Sequence, residues 1–339
     1  MTTHTHSTDN ALRLLVAEQL LAALSGADPA EQEWARSIFV AQGFLAEAID
    51  KLRSADDALE RAAAARTLGI ARSQLATPHL VAGMFDKATE VSHAAAEALA
   101  RIDDPAIAID PLNLLWGNQE PFGELANELA QAAGPETQQS NKTKQPPDGT
   151  NHPGFANAEK PSYRPDPSDV AFDVFDFVAE LAHESPQKRI DALDRLARSR
   201  DSQAFELITS AFDDLCPDVR KAAAHALYEL DAESAAQSFA RAVDEGTPDR
   251  RRNIGVALHA SGLAQRAIDD LVGDSRTAAY NALCLLFVMA KTGEIEPLLQ
   301  AIEGHTSVEV RCAAVRLLTL NGQSEAAAEA AKRRLNVQG

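Results

Sequence analysis

Apolar residues in this chain recur at helical spacing, and one arrangement keeps returning. In "PDVRKAAAHALYEL", residues 217–230, Val219, Ala222, Ala223, Ala226, Leu227 and Leu230 fall at i, i+3, i+4, i+7, i+8 and i+11. That spacing draws one apolar stripe down a helix. Pro217 and Asp218 suit its first turn, where a missing N–H costs nothing and an acid complements the helix dipole. A short break at "DAES" follows. Ala235, Ala236, Phe239, Ala240 and Val243 then predict a second helix, closing at Gly246 in the role of a left-handed C′ glycine. The unit is therefore a helix pair, A then B.

Anchoring each copy on the arginine of helix A, with an apolar residue seven positions later, finds the others. The pairs are Arg61/Leu68, Arg189/Leu196, Arg220/Leu227, Arg251/Leu258, Arg276/Leu283 and Arg311/Leu318, with Ser92/Leu99 fitting apart from its serine. Spacings of 31 separate 61 from 92, 189 from 220 and 220 from 251; the next two, 25 and 35, together make two units with a shifted loop. A period of about 31 marks a helical solenoid. "PAEQEWARSIFVAQG" with "FLAEAIDKL" reads as a degenerate opening pair, and Asn10–Leu24 as a capping helix. The alanines of the stripe let helix axes approach to roughly 8 Å. A lone pair cannot bury its apolar face, so its neighbours must cover it.

The pattern divides the chain into repeats over 1–133, a stretch at 134–167 rich in proline, glycine and polar residues, and a second array over 168–339. The middle stretch has almost no apolar periodicity and is expected to be a flexible insertion or linker. After it, Val170, Val174, Phe177, Val178 and Leu181 share a helical face, with Ser168 placed as its N-cap. That helix is expected to finish an interrupted repeat or cap the second array. A tethered helix that swings into a partner's groove is the alternative.

Composition sharpens this picture. Aromatics are 5% of the chain and the formal net charge is −18. Residues 1–133 hold 19 acids and 9 bases, a balance of −10; residues 168–339 hold 27 and 19, a balance of −8. Both arrays therefore repel nucleic-acid phosphates and anionic membranes, and would attract a basic partner. Solubility alone would also account for the acidity. Cys216, Cys284 and Cys312 form no CxxC and cannot pair completely, as expected of reduced thiols in a cytoplasmic protein. "MTTHTHSTDN" lacks the pattern of a signal peptide. The longest apolar run, Ala282–Ala290, is about half a membrane span and reads as a helix buried on nearly all sides.

"PDVRKAAAHALYEL", "SVEVRCAAVRLLTLNG" and "DALERAAAARTLG" resemble the HEAT-repeat superfamily, especially its short phycobilisome-lyase-type HEAT-like form. The resemblance covers about two thirds of the chain. It implies an all-α fold, a right-handed α-solenoid of antiparallel helix pairs interrupted by the insertion. It also implies a ladder in which the acid and arginine opening helix A tie adjacent repeats together. Asp218/Arg220, Asp249/Arg251, Asp274/Arg276 and Glu309/Arg311 occupy those slots, whereas the unit at 92 has Glu90 but Ser92. These arginines read as structural struts rather than ligand contacts.

The same superfamily includes deoxyhypusine hydroxylase, which holds two irons with His-Glu dipeptides at the start of corresponding helices. Here His93 is followed by Ala94, and the other histidine slots hold Ala62, Ile190, Lys221, Arg252, Thr277 and Cys312. His183-Glu184 lies outside the slots. A metal site needs several converging ligands, so no metal and no cofactor is expected. HEAT-like DNA glycosylases need a basic concave face, which this acidic array lacks. No GxSxG, P-loop, GxGxxG or HExxH pattern occurs.

The sequence is accordingly read as a non-catalytic interaction scaffold or adaptor. Stacked pairs create a concave surface lined by B helices. Its outward positions are mostly acidic or amide: Glu206, Asp213 and Asp214; Gln237, Arg241 and Asp244; Gln265, Asp269 and Asp270; Glu296, Gln300 and Glu303. Such a face suits a basic peptide or protein, bound more weakly as salt rises. The alternatives are an accessory factor of the lyase type and an inhibitor that neutralises a basic protein.

Overall fold

A computed structural model describes residues 3–116, 174–199, 203–232 and 234–338. The first stretch runs through α1 (Thr3–Leu24), α2 (Pro29–Ala41), α3 (Phe44–Ser54), α4 (Ala58–Ala71), α5 (Thr77–Gly83), α6 (Thr89–Leu99) and α7 (Pro111–Trp116). After residue 173 come α8 (Val174–Leu181), α9 (Pro186–Ser199), α10 (Ala204–Ser210), α11 (Pro217–Leu230), α12 (Ala235–Glu245) and α13 (Pro248–Ala260). The chain ends with α14 (Leu263–Asp270), α15 (Arg276–Lys291), α16 (Glu296–Gly304), α17 (Val308–Leu320) and α18 (Ser324–Gln338). Short 3-10 turns precede α5 at Gln74–Ala76 and follow α10 at Ala211–Asp213. Among the described residues there is no strand, and the architecture is an all-helical α-solenoid of repeated pairs. The insertion at 134–167, with Ser168 and Val170, lies outside the described residues.

Local chemistry starts and stops these helices as the pattern requires. Asp28, Asp57, Thr247, Ser275 and Ser307 each accept a backbone N–H of the helix they precede. Pro29, Pro217 and Pro248 sit in first turns. Four hairpins turn on glycines with left-handed backbone: Gly43, Gly262, Gly293 and Gly322 have φ between 74° and 89°. Gly246 differs from its expected role. Its φ is −78°, an ordinary extended conformation. It is small for another reason: a Cβ there would stand 2.7 Å from the Ala242 carbonyl oxygen.

The stripes are the core. Val219, Ala222, Ala223, Ala226 and Leu227 of α11 are buried, with Ala192, Leu193, Leu196 and Ala197 of the adjoining α9. Helices α9, α11 and α13 stack in order, as do α4 and α6. Helix α8 lies against α9, with the Arg195 guanidinium 5.1 Å from the Phe177 ring.

Helix α15 keeps contact with α13 and α17 and has further neighbours besides. It lies against α5, α12 and α14, so its neighbours come from both ends of the chain. Tyr280 and every residue from Ala282 to Ala290 are buried, and so is every residue of α5. The irregular spacing around Arg276 has its physical cause here. This 16-residue helix is the joint between the two repeat-bearing stretches. Arg276 donates to the carbonyls of Arg53 and Ala55 at 2.7 and 3.1 Å, at the C-terminal end of α3. Cys284 Sγ donates to the Pro78 carbonyl at 3.3 Å, and the rings of His79 and Tyr280 stack 5.9 Å apart. Farther along, Lys291 bridges Asp104 at 3.2 Å and Asp244 at 2.9 Å. A backbone bond from Ala108 N–H to the Leu320 carbonyl, 2.7 Å, adds a further tie.

Candidate acidic binding surface

Four of the six arginines of the repeat formula share one geometry, which fixes what they can do. Arg61 donates Nη1 to the Ala55 and Asp56 carbonyls, five and six residues back. Arg189 does the same to His183 and Glu184, Arg220 to Asp214 and Leu215, and Arg311 to His305 and Thr306. Each reaches back over its own helix start and satisfies the loop that leads in. Arg251 reaches the Val243 and Asp244 carbonyls instead. Arg311 is fully buried, and that burial lowers its pKa from the ordinary arginine value, with Arg334 adding to the effect.

Among the described residues no hydrogen bond or ion pair joins Asp218, Asp249 or Asp274 to the arginine two positions on, while Glu309 and Arg311 act on each other electrostatically. Asp218, Asp249 and Glu309 are exposed in first turns, where they face the helix dipole. Asp249 pairs at 3.4 Å with Arg252, Glu309 accepts from the Ser307 hydroxyl, and Asp274 is exposed ahead of the Ser275 cap. The Ser307 bond is the main cause that lowers the Glu309 pKa. Two of the arginines hold a carboxylate 25 residues on: Arg61 holds Asp86 and Arg189 holds Asp214. The bond to Asp86 raises the Arg61 pKa, against the opposing effect of burial. The recurrence at +25 is visible in the sequence, but a search confined to one helix start cannot find it.

The acidic face divides in two once its partners are known. Asp214 is held by Arg189 and caps Cys216 N–H at 2.8 Å, so it is not an open surface group. Asp244 belongs to the bridge through Lys291 to the fully buried Asp104. Glu206 pairs with Arg241 at 2.9 Å, Asp213 with Arg250, and Glu303 with Arg333 at 2.6 Å. Gln237 is half-buried. Arg241 also lies over the Phe205 ring at 4.2 Å and bonds Glu245. Asp269, Asp270 and Glu296 are left, and among the described residues none of them has a cationic partner. Asp269 accepts from Gln265 at 3.0 Å and Glu296 from Gln300 at 3.0 Å, both one turn apart on exposed helix. These residues sit on α14 and at the start of α16, which touch.

Other titratable groups have local roles. His183 Nδ1 accepts from Ser185 N–H, and His259 Nδ1 lies 2.9 Å from Glu294. Cys284 is buried and its thiol pKa is pushed up by that burial; Cys312, half-buried, is pushed up for the same reason. His93 opens onto Ala94, which is buried in α6. Among the described residues no three His, Cys, Asp or Glu side chains come together in a way that could hold a metal ion. No helix among them is long and apolar enough to cross a membrane.

A family profile described as HEAT repeats matches residues 176–259, the span from α8 to α13 that holds Arg189, Arg220 and Arg251. No curated protein matches the chain. A crystal structure described as an engineered protein aligns with 95% of this chain and 98% of its own, at 15% identity. Its TM-score of 0.23 is too low to speak for fold or function.

Proposed function

We propose that this chain, a member of the HEAT-repeat superfamily, is a non-catalytic scaffold or adaptor in the cytoplasm whose acidic face binds a protein or peptide of basic character. The observation that carries the reading is the trio Asp269, Asp270 and Glu296. Asp269 and Asp270 close α14 and Glu296 opens α16, two B helices that touch, and among the described residues no ion pair neutralises them. Elsewhere on the same face the acids are already paired. A cationic partner therefore gains most at this end of the array. The repeat-bearing stretches at 1–133 and 168–339 supply the frame, joined through 134–167. Free thiols at Cys216, Cys284 and Cys312 suit a reducing compartment. An inhibitor that neutralises a basic protein would use the same face, and would differ in binding one protein tightly at one-to-one ratio. A lyase-type accessory factor would instead carry bound pigment absorbance.

The test is affinity capture at low and moderate salt with the unmodified chain and with Asp269→Lys/Asp270→Lys/Glu296→Lys. Basic proteins retained in stoichiometric amount, and lost both to salt and to charge reversal, support the reading. Retention that ignores both places the binding surface elsewhere.

A further inference from the structure

Helix α1 carries two apolar rows where a packed surface helix has one. Ala17, Leu20, Leu21 and Leu24 follow at i, i+3, i+4 and i+7, and this row is buried or half-buried, with α2 and α4 as its main neighbours. Arg13, one turn earlier, extends it over the Phe44 ring at 5.0 Å. Leu12, Leu15, Val16 and Gln19 repeat the same spacing on the opposite side. There Leu12 is 64% exposed and Leu15 52%, Val16 is exposed beside them, and Gln19 and Ala22 continue the row in the open. Leu14, also exposed, stands between the two rows. Exposed apolar residues scattered singly need no explanation, but Leu12, Leu14, Leu15 and Val16 form one patch, and such a patch marks a contact surface.

The chemistry of the outer row says what covers it. Leu12, Leu15, Val16, Gln19 and Ala22 hold no charge, although charged residues make up 24% of the chain. A basic partner drawn to the acidic face finds nothing to pair with here. The occupant has to bring an uncharged apolar row on a helix of its own, and α1 of a second copy supplies one of matching length. Charge points the same way. Copies of net charge −18 repel each other over most of their surface. Helix α1 holds Asp9 and Glu18 against Arg13, two acids and one base, a formal charge of only −1. A two-fold axis near its exposed end sets Leu12 of one copy against Leu15 of the other, and each such contact is made twice.

We infer that α1 is a self-association surface, on which two copies pair their α1 helices antiparallel through the row of Leu12, Leu15, Val16 and Gln19. The inference does not depend on the acidic-face reading, which uses the other end of the array. The apolar area offered is on the order of a few hundred Å² per copy, at the low end of specific interfaces. The dimer is therefore weak, with a Kd on the order of 10 μM.

The experiment is sedimentation velocity of the full chain from about 1 to 200 μM, a range that brackets the expected Kd. A monomer–dimer equilibrium is expected. Leu12→Glu/Leu15→Glu should raise the Kd at least tenfold, and so should Leu12→Lys/Leu15→Lys. Both residues are exposed, so the fold tolerates either change, and circular dichroism of both variants should match the unmodified chain. Mixed in equal amounts, the two variants should dimerise again, because glutamate at 12 of one copy then faces lysine at 15 of the other. A chain that stays monomeric over the whole range overturns the inference. So does a dimer that both variants leave intact, or a mixture of the two that remains monomeric. A monomeric chain that binds phosphatidylcholine vesicles, and loses that binding in both variants, overturns it in favour of a membrane surface.

Discussion

Arg189 holds Asp214 through two nitrogens, Nε at 2.7 Å and Nη2 at 2.9 Å. Arg61 holds Asp86 in the same way, at 2.8 and 3.0 Å. In each pair the aspartate also accepts the backbone N–H two residues on, at Cys216 and Ala88. Each arginine therefore fastens the loop before its own helix to the turn before the next A helix. Three segments are pinned by one side chain, and the planar guanidinium is what makes that possible. In these two units the rungs run from one repeat to the next.

Asp86→Asn should consequently cost far more than a surface charge would. The pair is buried, with side-chain exposures of 7% and 8%, so removing one charge strands the other away from water. A loss of about 3 kcal/mol is expected. Asp218→Asn, in a solvated first turn, should shift stability by no more than about 0.5 kcal/mol. Urea denaturation midpoints of the two variants decide it. Equal effects would mean that the acid two positions ahead of the arginine matters as much as the acid 25 positions on.

Gly69 offers a second test, of the close packing between α4 and α6. Glycine inside a helix usually gains about 1 kcal/mol on mutation to alanine. Here a Cβ would stand 2.7 Å from both Cα and Cβ of Ala98, which is backbone and cannot swing away. Gly69→Ala is therefore expected to destabilise by roughly 1–3 kcal/mol, reversing the usual sign. Thermal unfolding of the variant measures it. A gain would show that the two helices can move apart at little cost.

The thiols should separate cleanly by burial. Cys284 is inside the α5–α15 joint with its thiol pKa raised, and Cys312 is half-buried with its pKa raised as well. With a disulfide reagent at pH 8, Cys216, half-buried ahead of α11, is expected to react first and Cys284 only when the protein unfolds. Peptide mapping of the labelled chain gives the order. Early labelling of Cys284 would show that the joint opens in the native state.

What the sequence makes legible follows from range. The stripe of Val219, Ala223 and Leu227 and the proline starts are fixed by neighbours within two turns, and each is where the pattern puts it, whereas Gly246 is not left-handed as expected. The charge of the B-helix positions is also plain in the sequence. Which of those charges are free is not, because Asp213, Glu206 and Asp244 meet partners 35 to 47 residues away. The α5–α15 joint is hidden for the same reason. The apolar run from Ala282 to Ala290 announces a helix without an outside, but nothing local says that Pro78 and His79, more than 200 residues earlier, are what cover it.

His79 makes that joint sensitive to acid. It is fully buried, with Nδ1 3.6 Å from Cys284 Sγ, its ring stacked on Tyr280, and no hydrogen-bond partner at Nε2 among the described residues. Burial, with Arg53 adding repulsion, lowers its pKa from 6.5 to about 3. The remaining charges at this end of the joint, Arg276 and Asp50, act on Tyr280, whose hydroxyl pKa burial raises. The unfolded chain therefore binds the His79 proton more readily than the folded one does. Stability from this group is complete above pH 6.5 and falls as pH drops from there towards 3, by at most about 1.4 kcal/mol per pH unit. His79→Phe keeps a ring against Tyr280 but has nothing to titrate. The difference in urea midpoint between the unmodified chain and this variant should be constant from pH 8 to pH 6.5. Below that it should move steadily in favour of the variant. Parallel curves down to pH 4.5 would mean that His79 takes up its proton without leaving the joint.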